Sequence, residues 1–440
     1  MDVFRINFSH GDRASHIQEV RTIRREAKRG GMTVAILQDL PGPKIRVGRI
    51  AGGVVNLTSG SQVVLTSRTV EGSASLIPIG NPDLLSAVGR GDVLYLADGI
   101  IRLRVDEPVA AGVSCNILAG GVLSSGKGVN APGVRLKIEY PTKKDVEHLA
   151  LGLRLNVDYV AMSFVRTPSD VRAVRKLMPR DGPKLIAKIE KKEAVKNLRG
   201  ILDESDGAMV ARGDLGIEVP IETVPAIQKE IIGRCNSSGK PVIVATQMLL
   251  SMVNSPVPSR AEVTDVSTAI LDGTDAVMLS EETTVGRYPV EAVRMLDRIA
   301  RFTERSIRSY APTTAETKDT GSAIARAACR LADYVKAKAI VAPTKTGTTA
   351  RRVSMYHPRQ PIVAMCTDSR VALELKLYWG VIPILSRKAK TIDWLFERAN
   401  AAVEELGLAK KGDRIVVTSG TPGMKGTTNL IKVSVVGGSP

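Results

Sequence analysis

The chain has 440 residues, of which 43% are hydrophobic and 24% charged, and its aromatic residues number only two Trp, eight Tyr and five Phe. That length predicts about three domains, and the composition excludes a fibrous or disordered protein. The 62 Lys and Arg residues exceed the 45 Asp and Glu residues and leave a net charge of +17. This charge predicts an anionic ligand or partner without distinguishing nucleic acid, membrane or phosphate.

Seven short β-branched segments are each followed by a turn and an amphipathic stretch. Most of the intervals between their starts are about 24 to 34 residues, the spacing of strand–helix units in a parallel α/β barrel or open sheet. The first interval predicts a helix over Ser15–Arg29, with an apolar stripe that includes Val20 and Ala27. The predicted strands are Val3–Phe8, Thr33–Gln38, Tyr159–Phe164, Lys184–Ile189, Ala208–Ala211, Val242–Thr246 and Ala276–Leu279.

The interval between the second and third strands is too long for one helix and is rich in Gly, Val and turn pairs. It predicts an inserted β domain over 43–141, bounded by Pro43 and Pro141, within a barrel domain formed by 1–42 and 142–310. A polar linker, Ala311–Thr320, precedes a separate C-terminal α/β domain over 321–440. Its predicted strands are Ala339–Ala342, Pro361–Met365 and Arg414–Thr418.

The four cysteines are far apart and form no Cys-x-x-Cys pair, which predicts neither a zinc site nor a disulfide framework and favours a reducing cytosol. They are Cys115, Cys235, Cys329 and Cys366. No apolar run approaches about 18 residues, and the first residues lack the pattern of a signal peptide. We therefore expect a cytoplasmic protein without a membrane partner.

Polar side chains lie at the carboxyl ends of all seven predicted strands, where barrel enzymes carry their active sites. Any one of them also fits ordinary turn chemistry, but the whole series favours a site. The residues are Asn7 and Ser9, Asp39, Ser163, Lys188 with Glu190, Arg212-Gly213-Asp214, Thr246, and Ser280 with Glu282.

Glu190 and Asp214 follow successive strands, so their carboxylates can share a divalent cation such as magnesium while leaving room for water and phosphate oxygens. The alternative is a pair of surface carboxylates. Lys188 lies two residues before Glu190 and on the same strand face. Beside a metal its ammonium can stabilise an enolate or a transferring phosphoryl group, although a capping lysine on the barrel rim has the same pattern.

Several ordered motifs along the chain resemble pyruvate kinase. They are Arg5–Gly11 (RINFSHG), Lys188–Glu190 (KIE), Met209–Gly216 (MVARGDLG), Lys240–Leu249 (KPVIVATQML), Pro258–Glu262 (PSRAE) and Leu271–Gly273 (LDG). The resemblance implies a TIM (β/α)8-type barrel, an inserted β-barrel lid domain and a C-terminal α/β regulatory domain. It also implies the last step of glycolysis, the magnesium-dependent phosphoryl transfer from phosphoenolpyruvate to ADP that gives pyruvate and ATP, in a cytoplasmic homotetramer.

The same resemblance assigns roles to residues of this sequence. Glu190 and Asp214 would bind Mg²⁺ or Mn²⁺, and Lys188 would stabilise the transferring phosphoryl group and the enolate oxygen. The substrate carboxylate would be held by the Gly213 and Asp214 amides and the Thr246 hydroxyl. Arg5 and Arg46 would bind phosphate, the nucleotide side would be lined by Asn7, Ser9, His10, Arg46 and Lys127, and the proton path would contain Thr246, Ser280 and Glu282.

One departure from the family concerns the monovalent cation. Potassium-dependent members have Thr-Lys-Gly-Pro-Glu after the position of Asp39, whereas this chain has Leu40-Pro41-Gly42-Pro43-Lys44. Asn7, Ser9, Asp39 and Leu40 occupy the cation-ligand positions, and the Lys44 ammonium can supply the same single charge. We therefore predict that K⁺ is dispensable.

A Thr-rich segment of the C-terminal domain fits phosphate capture through hydroxyls and backbone amides, and by resemblance it is the site of a phosphorylated effector. Ordinary turn chemistry is the alternative. The segment comprises Thr344, Lys345, Thr346, Gly347, Thr348 and Thr349, with Ser419–Gly423 as the expected partner loop.

The start of the chain leaves a second hypothesis open. The family barrel has eight strand–helix units, and only seven are predicted here, so the first appears to be missing and two strand edges would stay unpaired. Either the true reading frame begins earlier or the protein is an incomplete, catalytically impaired regulatory or scaffold paralogue. Nucleic-acid binding is disfavoured, because no zinc module, recognition helix or aromatic platform is present. Another barrel enzyme acting on phosphoenolpyruvate is the remaining alternative.

Overall fold

A computed structural model describes residues 1–134, 136, 138–306, 319–389, 391–420 and 428–438. The chain opens with strand β1 (Val3–Asn7), helix α1 (Arg13–Arg29) and strand β2 (Ala35–Leu40). Helix α1 begins where it does because Asp12 caps it: the Asp12 carboxylate accepts a hydrogen bond from the Ser15 amide at 2.8 Å. Its buried side includes Val20 and Ala27, as the predicted stripe requires.

An inserted region follows β2 and is built almost entirely of strands. In chain order its elements are β3 (Ile45–Arg46), β4 (Val54–Leu57), β5 (Gln62–Thr66), β6 (Leu76–Pro78), α2 (Pro82–Ala87), β7 (Val93–Leu96), β8 (Ile101–Val109), β9 (Gly112–Ala119), β10 (Gly121–Ser124) and β11 (Gly128–Asn130). Seven of these strands form one sheet in the order β3-β11-β7-β8-β9-β5-β6, while β10 and β4 pair separately. The sheet encloses its own apolar core, so this region is the predicted β domain, although its boundary residues stay predictions.

The chain then returns to strand–helix units. They are α3 (Lys143–Arg154), β12 (Tyr159–Met162), α4 (Pro168–Arg175), β13 (Lys184–Ile189), α5 (Lys192–Lys196), α6 (Leu198–Glu204), β14 (Gly207–Ala211), α7 (Arg212–Glu218), α8 (Val224–Ser237), β15 (Val242–Ala245), α9 (Arg260–Leu271), β16 (Ala276–Met278), α10 (Glu281–Thr284) and α11 (Pro289–Ser306).

Seven parallel strands form the barrel-type sheet, in the order β1-β2-β12-β13-β14-β15-β16. All seven predicted strands are therefore present. Among the described residues, β1 and β16 are the two edges, and no strand pairs with both. The predicted second strand, Thr33–Gln38, was placed two residues early, so Asp39 lies inside β2 rather than after it, and Asn7 likewise ends β1.

Alternate residues of these strands face the inside of the curled sheet. The lower inward layers are apolar and include Leu37, Ile186, Met209 and Ile243. Continuing the same two-residue period toward the carboxyl ends leads from Leu37 to Asp39 and from Ile186 to Lys188. Strand geometry thus places polar side chains at the carboxyl ends of the strands, above the apolar layers of the barrel interior.

The C-terminal region is a separate α/β layer. Its elements are α12 (Thr320–Tyr334), β17 (Ile340–Thr344), α13 (Thr348–Ser354), β18 (Ile362–Cys366), α14 (Ser369–Glu374), β19 (Val381–Leu385), α15 (Ile392–Glu405), β20 (Arg414–Ser419) and β21 (Leu430–Val435). They form a sheet in the order β19-β18-β17-β20-β21, with β21 antiparallel to β20. The three predicted strands are present, and two edge strands, β19 and β21, were not predicted. Of the predicted linker Ala311–Thr320, residues 311–318 lie outside the described residues.

The C-terminal region contacts the lower end of the barrel. Leu377 belongs to the same apolar cluster as the barrel interior, and the Trp379 amide donates a hydrogen bond to the Asp275 carboxylate at 3.0 Å. Burial raises the pKa of Asp275 to about 7. The effector-like domain is therefore packed at the end of the barrel opposite the polar layer.

Two further observations concern the chain as a whole. All four cysteines are free and buried, as their spacing predicts. No helix in the described ranges combines the length and apolar character needed to cross a membrane.

Candidate active site

Lys188 is the centre of the polar layer at the carboxyl ends of the strands. Its ammonium donates a hydrogen bond to Ser163 Oγ at 2.7 Å and lies 3.2 Å from both carboxylate oxygens of Asp39. It also lies 3.0 Å from Glu190 Oε1. Arg5 reaches Asp39 Oδ2 from the neighbouring strand, with Nη2 at 2.8 Å and Nε at 2.9 Å. Four successive strands of the sheet, β1, β2, β12 and β13, or the residues directly after them, thus supply one polar cluster.

The cluster keeps Lys188 and Asp39 charged. Burial acts to lower the pKa of Lys188, but the Asp39 and Glu190 carboxylates raise it above its ordinary value. Burial acts to raise the pKa of Asp39, but Lys188 and Arg5 hold it below its ordinary value. The site therefore offers a permanently charged ammonium in a pocket of low dielectric, where it interacts strongly with developing negative charge.

Glu190 has features that suit a metal ligand. Its side chain is only 1% exposed, and Oε2 accepts a hydrogen bond from the Phe164 amide at 2.7 Å. The buried Oε1 faces the Lys188 ammonium at 3.0 Å but accepts no hydrogen bond of good geometry among the described residues. Burial and the Asp214 charge raise the pKa of Glu190, against the opposing effect of Lys188. A divalent cation bound by both carboxylates would offset the repulsion between Glu190 and Asp214.

Asp214 provides the second carboxylate from the first turn of α7, and its Oδ1 lies 3.2 Å from the Lys44 ammonium. In the part of the chain that the structure describes, no group of three or more His, Cys, Asp or Glu side chains forms a metal cage. Two carboxylates leave the remaining positions to water and substrate oxygens, as Mg²⁺ prefers. Glu190 and Asp214 therefore fit the expected cation.

Gly213 and Thr246, two of the residues predicted to hold the substrate carboxylate, lie together. The Gly213 amide donates a hydrogen bond to Thr246 Oγ1 at 2.9 Å. Thr246 has a φ of 70°, a left-handed conformation that is costly for a β-branched residue. Arg212 holds it there, with Nη2 at 2.9 Å from the Thr246 carbonyl oxygen and Nη1 at 2.5 Å from Asp265 Oδ2. The sequence analysis placed Arg212 among the strand-end residues but assigned it no role, and the structure places it where it supports the Thr246 turn.

Two residues of the predicted proton path, Glu282 and Ser280, differ in their hydrogen bonding. Both carboxylate oxygens of Glu282 accept backbone hydrogen bonds, from the Ser280 amide at 2.7 Å and the Leu249 amide at 3.0 Å. Glu282 thus joins the loops that follow β15 and β16. The Ser280 hydroxyl is buried and makes no hydrogen bond among the described residues, so it is the member of this set that stays available to a substrate.

The predicted nucleotide side is strongly basic. Burial lowers the pKa of His10, and so do the charges of Arg46, Arg5 and Lys44 around it. Asn7 Oδ1 accepts a hydrogen bond from the Ser9 amide at 3.0 Å, and Arg46 Nη1 donates to the Gly126 carbonyl at 2.9 Å. Lys127, next to Gly126, is exposed. The loop from the inserted domain therefore lies beside cations that suit a polyphosphate.

Two family models match this chain. The model described as pyruvate kinase, barrel domain, matches residues 1–293, and that described as pyruvate kinase, alpha/beta domain, matches residues 322–434. The chain belongs to the pyruvate kinase family. It is similar to pyruvate kinase 2 of Synechocystis sp., with 47% identity over 98% of this chain and 74% of the relative.

Two further pyruvate kinases cover the chain almost completely. Identity is 43% to that of Geobacillus stearothermophilus, over 99% of this chain and 76% of the relative. It is 42% to that of Thermotoga maritima, over 98% of this chain and 93% of the relative. These matches do not favour the alternative of another barrel enzyme acting on phosphoenolpyruvate.

Cationic side chains lie beside some of the residues predicted to bind a monovalent cation. Asp39 is paired with Arg5 and Lys188, and its neighbour Leu40 is only 2% exposed. The Lys44 ammonium lies beside Asp214 and 5.7 Å from the centre of the Phe164 ring. Positive charge supplied by the chain therefore lies beside Asp214, one of the two predicted metal ligands.

The predicted effector segment forms a turn between β17 and α13. Gly347 has a φ of 81°, and Thr346 and Thr348 lie side by side with their hydroxyl oxygens 3.0 Å apart. Arg351 Nη2 donates to the Thr346 carbonyl at 2.9 Å. Thr349 and Thr344 are buried, whereas Lys345 is exposed. Of the expected partner loop Ser419–Gly423, residues 421–423 lie outside the described residues.

Proposed function

We propose that this chain catalyses phosphoryl transfer from phosphoenolpyruvate to ADP, giving pyruvate and ATP. The observation that carries the proposal is the buried Lys188–Asp39–Glu190 cluster at the mouth of the barrel, in a chain that matches pyruvate kinase models in both its barrel and C-terminal regions. An impaired scaffold paralogue would not need to keep these charges buried together, because buried ion pairs are a poor source of stability.

The residues suggest how the reaction proceeds. Arg5 and Arg46 bind the phosphate, since a guanidinium fork matches its oxygens. The bond between phosphorus and the enol oxygen breaks while a bond forms to the terminal phosphate oxygen of ADP. Lys188 stabilises the negative charge left on the enolate oxygen, and the Thr246–Gly213 turn orients the substrate carboxylate. The enolate carbon then takes a proton, and the Ser280 hydroxyl is the group that we assign to that end of the path.

Glu190 and Asp214 would hold Mg²⁺ or Mn²⁺, which when bound would neutralise charge on the phosphoryl and enolate oxygens. The exposed Lys127 belongs to the inserted domain, which would exclude water by closing over the nucleotide. A cytoplasmic homotetramer, expected from the family, stays a prediction.

The proposal is tested by mixing the purified chain with phosphoenolpyruvate, ADP and MgCl₂ and measuring pyruvate. Pyruvate should form only when all three are present. Formation of pyruvate without ADP would indicate a phosphatase and would contradict the proposed transfer.

Activity is expected to be the same in potassium-free buffer as in potassium chloride, because the Lys44 ammonium provides the charge beside Asp214. Lys44→Glu should make the enzyme depend on potassium. Potassium should then stimulate the rate about ten-fold or more, which corresponds to about 1.4 kcal/mol of transition-state stabilisation. Charge reversal at the exposed Lys192 is the matched control and should not create this dependence. A stimulation of about ten-fold or more in the wild type would contradict the assignment.

We propose that the Thr344–Thr349 turn binds a phosphorylated effector. The adjacent hydroxyls of Thr346 and Thr348 and the nearby Arg351 support this reading. Substrate dependence measured with a panel of sugar phosphates and nucleotides should shift for at least one compound, and Thr346→Val with Thr348→Val should abolish that shift. An unchanged substrate dependence across the panel would refute the proposal.

A further inference from the structure

A second ion pair joins the two elements that carry Glu190 and Asp214. The Lys191 ammonium is 2.6 Å from Glu218 Oε1, and the Glu218 side chain is only 2% exposed. Lys191 is the residue after Glu190, and Glu218 is the last residue of α7, whose first turn contains Asp214. One pair therefore joins the strand end that carries Glu190 to the helix that carries Asp214.

The inserted domain covers this pair and explains why Glu218 is buried. Asn130, the last residue of β11, lies with Nδ2 at 3.4 Å from the same Glu218 oxygen. The neighbouring Ile217 packs against Gly99, where an added side-chain carbon would lie 3.6 Å from Ile217 Cγ1. Glu218 is thus the point at which strand end, helix and inserted domain meet.

A carboxylate buried in this way is costly unless it is paired, so Lys191 and Glu218 stay together and constrain the two elements that they join. A divalent cation is sensitive to the separation of its ligands, and groups behind the ligands commonly determine that separation. We propose that Lys191 and Glu218 are positioning residues that fix the separation of Glu190 and Asp214 for a shared divalent cation. This inference rests on the proposed metal site.

The charges of the pair allow a positioning role to be separated from simple electrostatics. Removing the Lys191 charge takes a cation away from the metal site, which by electrostatics alone would tighten cation binding. Removing the Glu218 charge would by electrostatics alone weaken it. A positioning pair gives a different pattern, because either substitution breaks the same constraint and both must weaken binding.

The test measures Mn²⁺ binding to the substrate-free chain by electron paramagnetic resonance of free Mn²⁺. Lys191→Met and Glu218→Gln are each expected to raise the Kd for Mn²⁺ about ten-fold. The Kd of the double variant should not exceed the larger of the two single-variant values. Lys184→Met is the matched control: Lys184 is the first residue of the same strand and pairs with Glu374 at 3.4 Å. Its Kd should equal that of the wild type.

Lys191→Arg keeps the charge and should bind Mn²⁺ as the wild type does, and circular dichroism of Lys191→Met and Glu218→Gln will show whether those variants stay folded. Tighter or unchanged binding by Lys191→Met, or effects that multiply in the double variant, would overturn the inference. So would a wild type that binds no Mn²⁺. A wild type that binds Mn²⁺ but forms no pyruvate would instead refute the proposed function and leave the positioning role standing.

Discussion

Replacing Lys188 by methionine is expected to lower kcat for pyruvate formation by about 10³-fold, the upper range for removing one group that stabilises transition-state charge. The ammonium is the only cation within 3.2 Å of both Asp39 and Glu190 among the described residues. No neighbouring side chain can therefore replace it. Steady-state kinetics at saturating phosphoenolpyruvate and ADP will measure the loss.

The control for Lys188→Met is Lys184→Met, at the opposite end of β13, which should retain kcat. Loss of the Lys188 charge should also lower the free energy of unfolding by about 3 kcal/mol, because Glu190 is left buried without its partner. Circular dichroism will show whether the variant stays folded. A folded Lys188→Met variant with kcat within about ten-fold of the wild type would exclude Lys188 from the chemistry.

Replacing Glu190 by glutamine is expected to raise the Mg²⁺ concentration needed for half-maximal activity by about 100-fold. The amide has the same shape and can still accept the Phe164 amide hydrogen bond through its oxygen. It removes the charge that the cation needs. Titration of activity with MgCl₂ will measure the change.

Glu193→Gln is the matched control, because Glu193 lies three residues further along in the first turn of α5. It should leave the Mg²⁺ dependence unchanged. An unaltered Mg²⁺ requirement in Glu190→Gln would remove Glu190 from the metal site, and the charged cluster would then have only a structural role.

The positions of the reactive residues were largely predictable from the sequence because strand periodicity is local. Lys188 and Glu190 could be placed on one face of the strand because alternate residues of a strand point to the same side. The boundaries were less accurate, as the two-residue error in β2 shows. The edge strand β19 was missed because Pro383 interrupts its pattern, and proline is tolerated at an edge.

The contacts that tune the site were not predictable, because they join residues distant in the chain. Lys44 and Asp214 are 170 positions apart, and Lys191 and Glu218 are 27 apart. The left-handed backbone of Thr246 has no sequence signal, and Arg212 acquires its role only when that turn forms. The sequence thus indicated which polar groups lie at the strand ends, whereas the fold determines which groups hold them in place.

Direct observation of phosphoryl transfer by ³¹P nuclear magnetic resonance is the most direct test of the central claim. With the wild-type chain, phosphoenolpyruvate, ADP and MgCl₂, the phosphoenolpyruvate signal should decline as the γ-phosphate signal of ATP rises in equal amount, and Lys188→Met should show neither change. Release of inorganic phosphate in place of ATP, or an unchanged spectrum with the folded wild type, would contradict the account.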